Sequence, residues 1–187
     1  MLLAVSPVVA ICAAVIRMVS GCSPFIAHRR VGWRGSELWM LKLRTMWEPG
    51  AQTAAGGWIE RISDDGGPAR KAACDPRVPH AFVRFCRRHS LDELPQLLHV
   101  IRGEMSLVGP RPLTAAEIRE HYGTDAGELL SLKPGIAGLW QISGRNQLTY
   151  PQRRSLDLEF VRRRSFRMYT RILLRTIPEV WSGNNTY

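Results

Sequence analysis

Ser90-Leu91-Asp92-Glu93-Leu94-Pro95-Gln96-Leu97 sets two adjacent carboxylates just after a segment carrying Arg84, Arg87 and Arg88. Ser90 followed three residues later by Glu93 fits the S-x-x-E capping box. The pattern predicts a helix with Ser90 as its N-cap and Asp92 and Glu93 in its first turn. There the free backbone N–H groups and the helix dipole favour an ionised carboxylate, which can serve as nucleophile or metal ligand. An isolated S-x-x-E is usually only a cap. The neighbouring arginines add cations that a cap does not need and that phosphate chemistry does.

Upstream, Arg29-Arg30-Val31-Gly32-Trp33-Arg34-Gly35 and Leu38-Trp39-Met40-Leu41-Lys42-Leu43-Arg44 read as two strands joined by a turn at Trp33-Arg34-Gly35. This hairpin gathers Arg29, Arg30, Lys42 and Arg44; the alternative is a solvated edge whose charges discourage aggregation. The stretch from Glu48 to Arg70, including Asp64-Asp65, is rich in Gly, Ala and Asp without a steady period and reads as a loop. Downstream, Gly109, Pro110 and Pro112 fix the backbone around Arg111, so one guanidinium is preorganised on an irregular loop. Thr114-Ala115-Ala116-Glu117 is a second capping-box fit, read as purely structural. The apolar run Ile136 to Ile142 is a strand or a membrane-facing loop, and Arg145 beyond it is a candidate for a second phosphate.

At 187 residues the length fits one domain, and 45% hydrophobic residues suffice for a core. A net charge of +10 calls for an anionic partner and leaves open nucleic acid, an anionic membrane surface or a phosphorylated substrate. Cys12, Cys22, Cys74 and Cys86 form no C-x-x-C pair and meet no His at zinc-finger spacing. They read as free thiols of a reducing compartment, without a structural metal.

Residues Met1 to Ile16 carry no charge, but one helix of that length spans only about 24 Å, short of a roughly 30 Å hydrocarbon core. Pro7 breaks the hydrogen-bond ladder and Ser6 can satisfy a freed backbone group, which predicts a kinked segment that dips into a membrane and returns. At the other end, Arg153-Arg154, Arg162-Arg163-Arg164, Arg167, Arg171 and Arg175 interleave with Phe160, Phe166, Tyr169, Leu173, Leu174, Ile177 and Trp181. Such a segment reads as lying among anionic headgroups, or as a globular helix with a solvated basic face.

Four runs in this order resemble the bacterial sugar transferases, the monotopic polyprenyl-phosphate phosphoglycosyl transferases. They are Lys42-Leu43-Arg44-Thr45-Met46, the Asp92-Glu93 stretch, Gly103 to Pro112, and Lys133 to Asn146. The resemblance reaches from about Ser6 to Tyr187 and includes Asp75-Pro76-Arg77-Val78. It implies transfer of a sugar-1-phosphate from a nucleotide (uridine) diphosphate sugar to undecaprenyl phosphate, the first step of a polysaccharide or glycoconjugate. It makes Asp92 and Glu93 the catalytic dyad, with Mg²⁺ on Glu93 and Asp92. Lys42, Arg87, Arg111 and Arg145 would face phosphates, and Asp157 the nucleotide. The expected fold is mixed α/β and helix-rich, with a small β-hairpin, an N-terminal re-entrant membrane helix and interfacial amphipathic helices. Residues 1–22 would form the re-entrant segment and 23–187 the catalytic domain, at the cytoplasmic face of the bacterial inner membrane. Membrane lipid is then a partner, nucleic acid is not, and a homodimer is compatible. The rival is a non-catalytic basic module binding nucleic acid or anionic lipid, which explains the charge but not the paired carboxylates.

Overall fold

Two strands form the expected hairpin: β1 (Phe25–Val31) and β2 (Glu37–Leu43) pair antiparallel, from Phe25 opposite Leu43 to Val31 opposite Glu37. The computed structural model describes residues 2–47, 57–63, 78, 80–144 and 147–182. A 3-10 turn over Trp33–Gly35 reverses the chain, with Arg34 at φ 53° and Gly35 at φ 80°. Left-handed backbone suits glycine and costs an arginine about 1 kcal/mol. Tethers offset that cost: the Arg34 N–H donates to the Leu130 carbonyl at 2.9 Å, and the Trp33 indole N–H donates to Ser131 O at 3.1 Å.

The Glu48 to Arg70 segment is not wholly a loop. Ile59–Ile62 forms β3, which pairs parallel with β1 and gives the sheet order β2-β1-β3. Arg44 explains how so short a strand is held: it is buried, ion-paired with Glu60, and donates through Nε to Ser23 O at 2.7 Å. Asp64-Asp65 lies outside the described residues.

Helix α1 (Leu2–Ser20) contains Pro7 within its span. Its Cys12, Ala13 and Ile16 are buried against Leu43, Val78, Val83 and Cys86, so α1 forms one side of the core beneath the hairpin. Complete burial of side chains such as Ile16 and Val83 is worth about 1.5–3 kcal/mol each. Elsewhere on α1, Ile11 and Met18 are 63% and 76% exposed. Among the described residues no helix is long and apolar enough to cross a membrane. The chain continues through α2 (Ala81–Arg88), a 3-10 helix over Leu91–Gln96, and α3 (Leu97–Ile101).

Strand β4 (Ser106–Val108) pairs parallel with β5 (Gly135–Ala137) in a second, two-stranded sheet. The approach is so close that a Cβ on Gly135 would lie 2.0 Å from the Gly109 nitrogen, which requires glycine there. Between the two strands come α4 (Ala115–His121) and α5 (Ala126–Leu129). The Thr114 capping box forms as read, Glu117 N donating to Thr114 Oγ1 at 3.1 Å and Thr114 N to Glu117 Oε2 at 2.8 Å. The run from Ile136 to Ile142 is neither of the two simple forms expected. It leaves β5 after Ala137 and turns into α6 (Leu139–Ile142).

Helices α7 (Tyr150–Arg163) and α8 (Phe166–Ser182) close the second half, with Val108, Ala137, Phe160 and Ile172 as their shared core. On α8, Phe166, Leu174 and Ile177 stay 88%, 62% and 62% exposed, and Arg167, Arg171 and Arg175 are exposed beside them. On α7 several arginines serve the fold instead. Arg154 pairs with Asp125, and Arg162 grips Glu128 through two bonds of 2.8 and 2.7 Å.

Candidate active site

Asp92 and Glu93 sit on the 3-10 helix Leu91–Gln96, and here one sequence expectation fails. Ser90 is at φ 54°, ψ 24°, and its side chain makes no cap. An N-cap presents its oxygen from extended backbone, so a left-handed residue cannot do so. The Glu93 N–H instead reaches the Ser90 carbonyl at 3.1 Å. The Glu93 carboxylate turns to β2, where Lys42 Nζ donates to Oε1 at 2.9 Å. Both side chains of this pair are partly buried, at 23% and 29% exposure. Lys42 arrives there because β2 pairs with β1, opposite Ile26, and lays its length against the dyad-bearing turn.

Arg87 closes α2 just before this turn and is buried at 8% exposure. Its neighbour Cys86 packs against Cys12 of α1, and the two thiols are hydrogen-bonded to each other. Burial, then Cys12, then the Asp92 carboxylate push the Cys86 thiol up to about 12. It is therefore an inert thiol, and the Asp92 carboxylate lies close enough to add to its shift. Cys12, Cys22 and Cys86 are buried and in no disulfide among the described residues; Cys74 lies outside the described residues.

A second group of polar side chains forms around Arg111, which leaves β4 on the proline-fixed loop. Its guanidinium lies 5.0 Å from the Trp140 ring centroid, and that of Arg153 lies 5.3 Å from the same ring. Behind them Asp157, 1% exposed, accepts a 2.8 Å bond from the Tyr122 hydroxyl. Glu117 accepts from the Tyr150 hydroxyl at 3.0 Å while its other oxygen holds the cap. The Thr114 capping box thus does more than close a helix.

Burial pushes Asp157 up to about 6, against the lowering effects of the Tyr122 bond, the Arg111 backbone and the Arg111 and Arg153 charges. The Arg111 backbone N–H faces this carboxylate, and Asp157 Oδ1 has no hydrogen-bond partner among the described residues. Burial also raises the Tyr122 hydroxyl, and it pushes Tyr150 up to about 12, with Asp157 and Glu117 respectively adding to the effect. Both phenols therefore stay protonated as donors.

Of the residues singled out in the sequence, the structure thus joins Lys42 to Glu93, buries Arg87 beside them, and sets Arg111 with Asp157. Arg145 lies outside the described residues. Sequence reading missed Tyr122, Trp140, Tyr150 and Arg153 as parts of one cluster, because they converge from three separate elements, the end of α4, α6 and α7. Among the described residues no group of three or more His, Cys, Asp or Glu side chains is arranged to hold a metal. Two adjacent carboxylates remain, which suit a hard cation completing its shell with water and phosphate oxygens.

Comparison with known proteins places the chain in a family. The chain is 40% identical over 190 residues to the exopolysaccharide production protein ExoY of Rhizobium meliloti, covering all of this chain and 82% of that protein. It is 39% identical over 181 residues to a UDP-galactose-lipid carrier transferase of Erwinia amylovora, covering 92% of this chain and 36% of that one. It is 44% identical over 113 residues to an undecaprenyl-phosphate galactose phosphotransferase of Salmonella typhimurium, covering 60% and 23% respectively. The bacterial sugar transferase family matches residues 1–183. With four separated motifs, a paired-carboxylate turn and a match along nearly its whole length, the chain belongs to the bacterial sugar transferase family.

Proposed function

We propose that this protein transfers a sugar-1-phosphate from a nucleotide diphosphate sugar, a uridine one, to undecaprenyl phosphate, through a covalent intermediate on Asp92. The observation that carries the reading is the Asp92-Glu93 turn, with Lys42 bound to Glu93 and Arg87 buried beside it. Relatives named for lipid-carrier and undecaprenyl-phosphate transfer supply the substrate class.

An Asp92 oxygen attacks the β-phosphorus, and the bond from that phosphorus to the bridging oxygen breaks. The nucleoside monophosphate leaves with the bridging oxygen and its electron pair. A phosphate oxygen of the polyprenyl phosphate then attacks the same phosphorus and displaces the Asp92 carboxylate, giving a polyprenyl diphosphate sugar. Lys42 holds Glu93 beside Asp92, and Arg87, Arg111 and Arg145 offset charge on the phosphoryl oxygens. Asp157, behind Arg111, is assigned to the nucleotide side. Asp92 and Glu93 would hold Mg²⁺, which when bound neutralises phosphate charge. The exposed apolar residues of α1 and α8, with the arginines of α8, support a monotopic seat on the cytoplasmic face of the inner membrane, α1 being its re-entrant element. The rival basic module accounts for none of the Lys42–Glu93–Asp92 arrangement.

The test is intact-mass analysis of the protein incubated with donor sugar alone. A phosphosugar adduct mapping to Asp92, absent in Asp92→Asn, is the expected result. Full turnover by Asp92→Asn, or an adduct on another residue, refutes the assignment.

A further inference from the structure

We infer that Arg153 and Arg111 form a two-guanidinium clamp for a phosphoryl group, built on Trp140. The inference deepens the proposed function by adding two residues to its phosphate site. Three observations carry it.

The first is the two guanidiniums themselves, which lie 5.0 and 5.3 Å from one indole centroid. They are close enough that Arg111, after burial, is the next largest influence lowering the basicity of Arg153. Like charges held together cost free energy unless something of opposite sign completes them. The second is that the protein supplies only indirect compensation, Asp157 and Glu117 acting through space. Neither arginine has an ion pair among the described residues, and the nearby carboxylates are turned to other donors. Glu117 takes the Tyr150 hydroxyl and the Thr114 N–H, and Asp157 takes the Tyr122 hydroxyl. Elsewhere on α7 the arginines do find carboxylates, as Arg154 and Arg162 show, so Arg153 differs from its neighbours.

The third observation is a set of unused donors. Trp140, 6% exposed, has its indole N–H buried and without an acceptor among the described residues, and the Nε–H of Arg153 is in the same state. Buried donors of this kind are normally satisfied, and an acceptor-only ligand would satisfy them. Planar guanidiniums meeting a tetrahedral oxyanion give paired charge-assisted bonds, which suits a phosphoryl anion, the class that the proposed reaction supplies. Two substrates carry one: the diphosphate of the donor and the phosphate of the polyprenyl acceptor.

The test uses the full chain solubilised in detergent, as wild type, Arg153→Gln, Arg153→Lys, and Arg119→Gln as an exposed control on α4. Inorganic pyrophosphate is titrated against thermal unfolding, and KM is measured separately for the nucleotide sugar and for polyprenyl phosphate. Loss of charge-assisted bonds predicts pyrophosphate affinity about tenfold to a hundredfold weaker in Arg153→Gln. It should be partly restored in Arg153→Lys and unchanged in Arg119→Gln. A matching rise in KM for the nucleotide sugar identifies the donor diphosphate as the ligand, and a rise for polyprenyl phosphate identifies the acceptor; either supports the clamp. A merely structural arginine would lower the melting temperature and leave both KM values in place, and that result overturns the clamp. If the wild type transfers no sugar phosphate, the proposed function fails and the pyrophosphate titration alone decides the clamp. Equal binding by wild type and Arg153→Gln, or none by the wild type, then overturns it.

Discussion

Replacing Asp157 by Asn should stabilise the protein at neutral pH while impairing it as a catalyst. The carboxyl is almost wholly buried, and burial moves it from 3.8 to about 6. Between those values the folded chain binds the proton that the unfolded chain releases, so stability falls as pH rises. The full penalty, at about 1.4 kcal/mol per pH unit of displacement, is about 3 kcal/mol and is present at pH 7. At pH 4.5 most of it is relieved and about 1 kcal/mol remains. Asn keeps an oxygen for the Tyr122 hydroxyl, 2.8 Å away, and carries no charge. It forgoes about 1 kcal/mol through the weaker bond to a neutral acceptor. The expected advantage of Asp157→Asn is therefore about 2 kcal/mol at pH 7, and it vanishes near pH 4.5. Urea denaturation of the detergent-solubilised protein at the two pH values measures this directly, and the pH difference of about 2 kcal/mol is independent of the hydrogen-bond correction. The same loss of stability on substitution at both pH values would refute the reasoning. Reduced transfer in a more stable variant would mark Asp157 as a residue kept for the substrate rather than for the fold.

Lys42→Met removes a pair that is partly exposed on both sides, so stability should change by less than about 1 kcal/mol. Transfer should fall at least tenfold; parallel melting and kcat/KM measurements separate the two effects. Chelation by EDTA should abolish transfer and added Mg²⁺ restore it, whereas activity surviving excess chelator would remove the metal from Asp92 and Glu93. Ser90→Gly should leave stability unchanged or raise it by up to about 1 kcal/mol, because residue 90 is left-handed. A capping serine would instead be weakened by any such change, so thermal unfolding of this variant discriminates the two geometries.

The hairpin was legible because its turn residues and its apolar partners fall within one short window, where local chemistry decides the pairing. The loop at Arg111 was legible for a related reason, since Pro110 and Pro112 restrict the backbone whatever surrounds them. Strand β3 was not. Its four residues are partly or largely exposed at the sheet edge and draw their pairing from β1 and from the Arg44–Glu60 contact, neither visible in the run itself. Ser90 misled because S-x-x-E specifies a cap only if the backbone enters the helix extended. Here the close of α2 forces a left-handed residue first. The Arg111 cluster could be half seen: Arg111 and Asp157 carry motif signals, but Tyr122, Trp140, Tyr150 and Arg153 acquire meaning only where α4, α6 and α7 meet.

The thiol contact between Cys12 and Cys86 makes the N-terminal helix a floor joist of the reaction centre. Cys86 feels the Asp92 carboxylate on one side and packs on α1 on the other, and Leu91 of the dyad-bearing turn packs on the same cluster. Whatever tilts or lifts α1 is transmitted to the footing of the carboxylate pair through this packed cluster. A fragment made by removing α1 would have lost part of the foundation of its carboxylate pair.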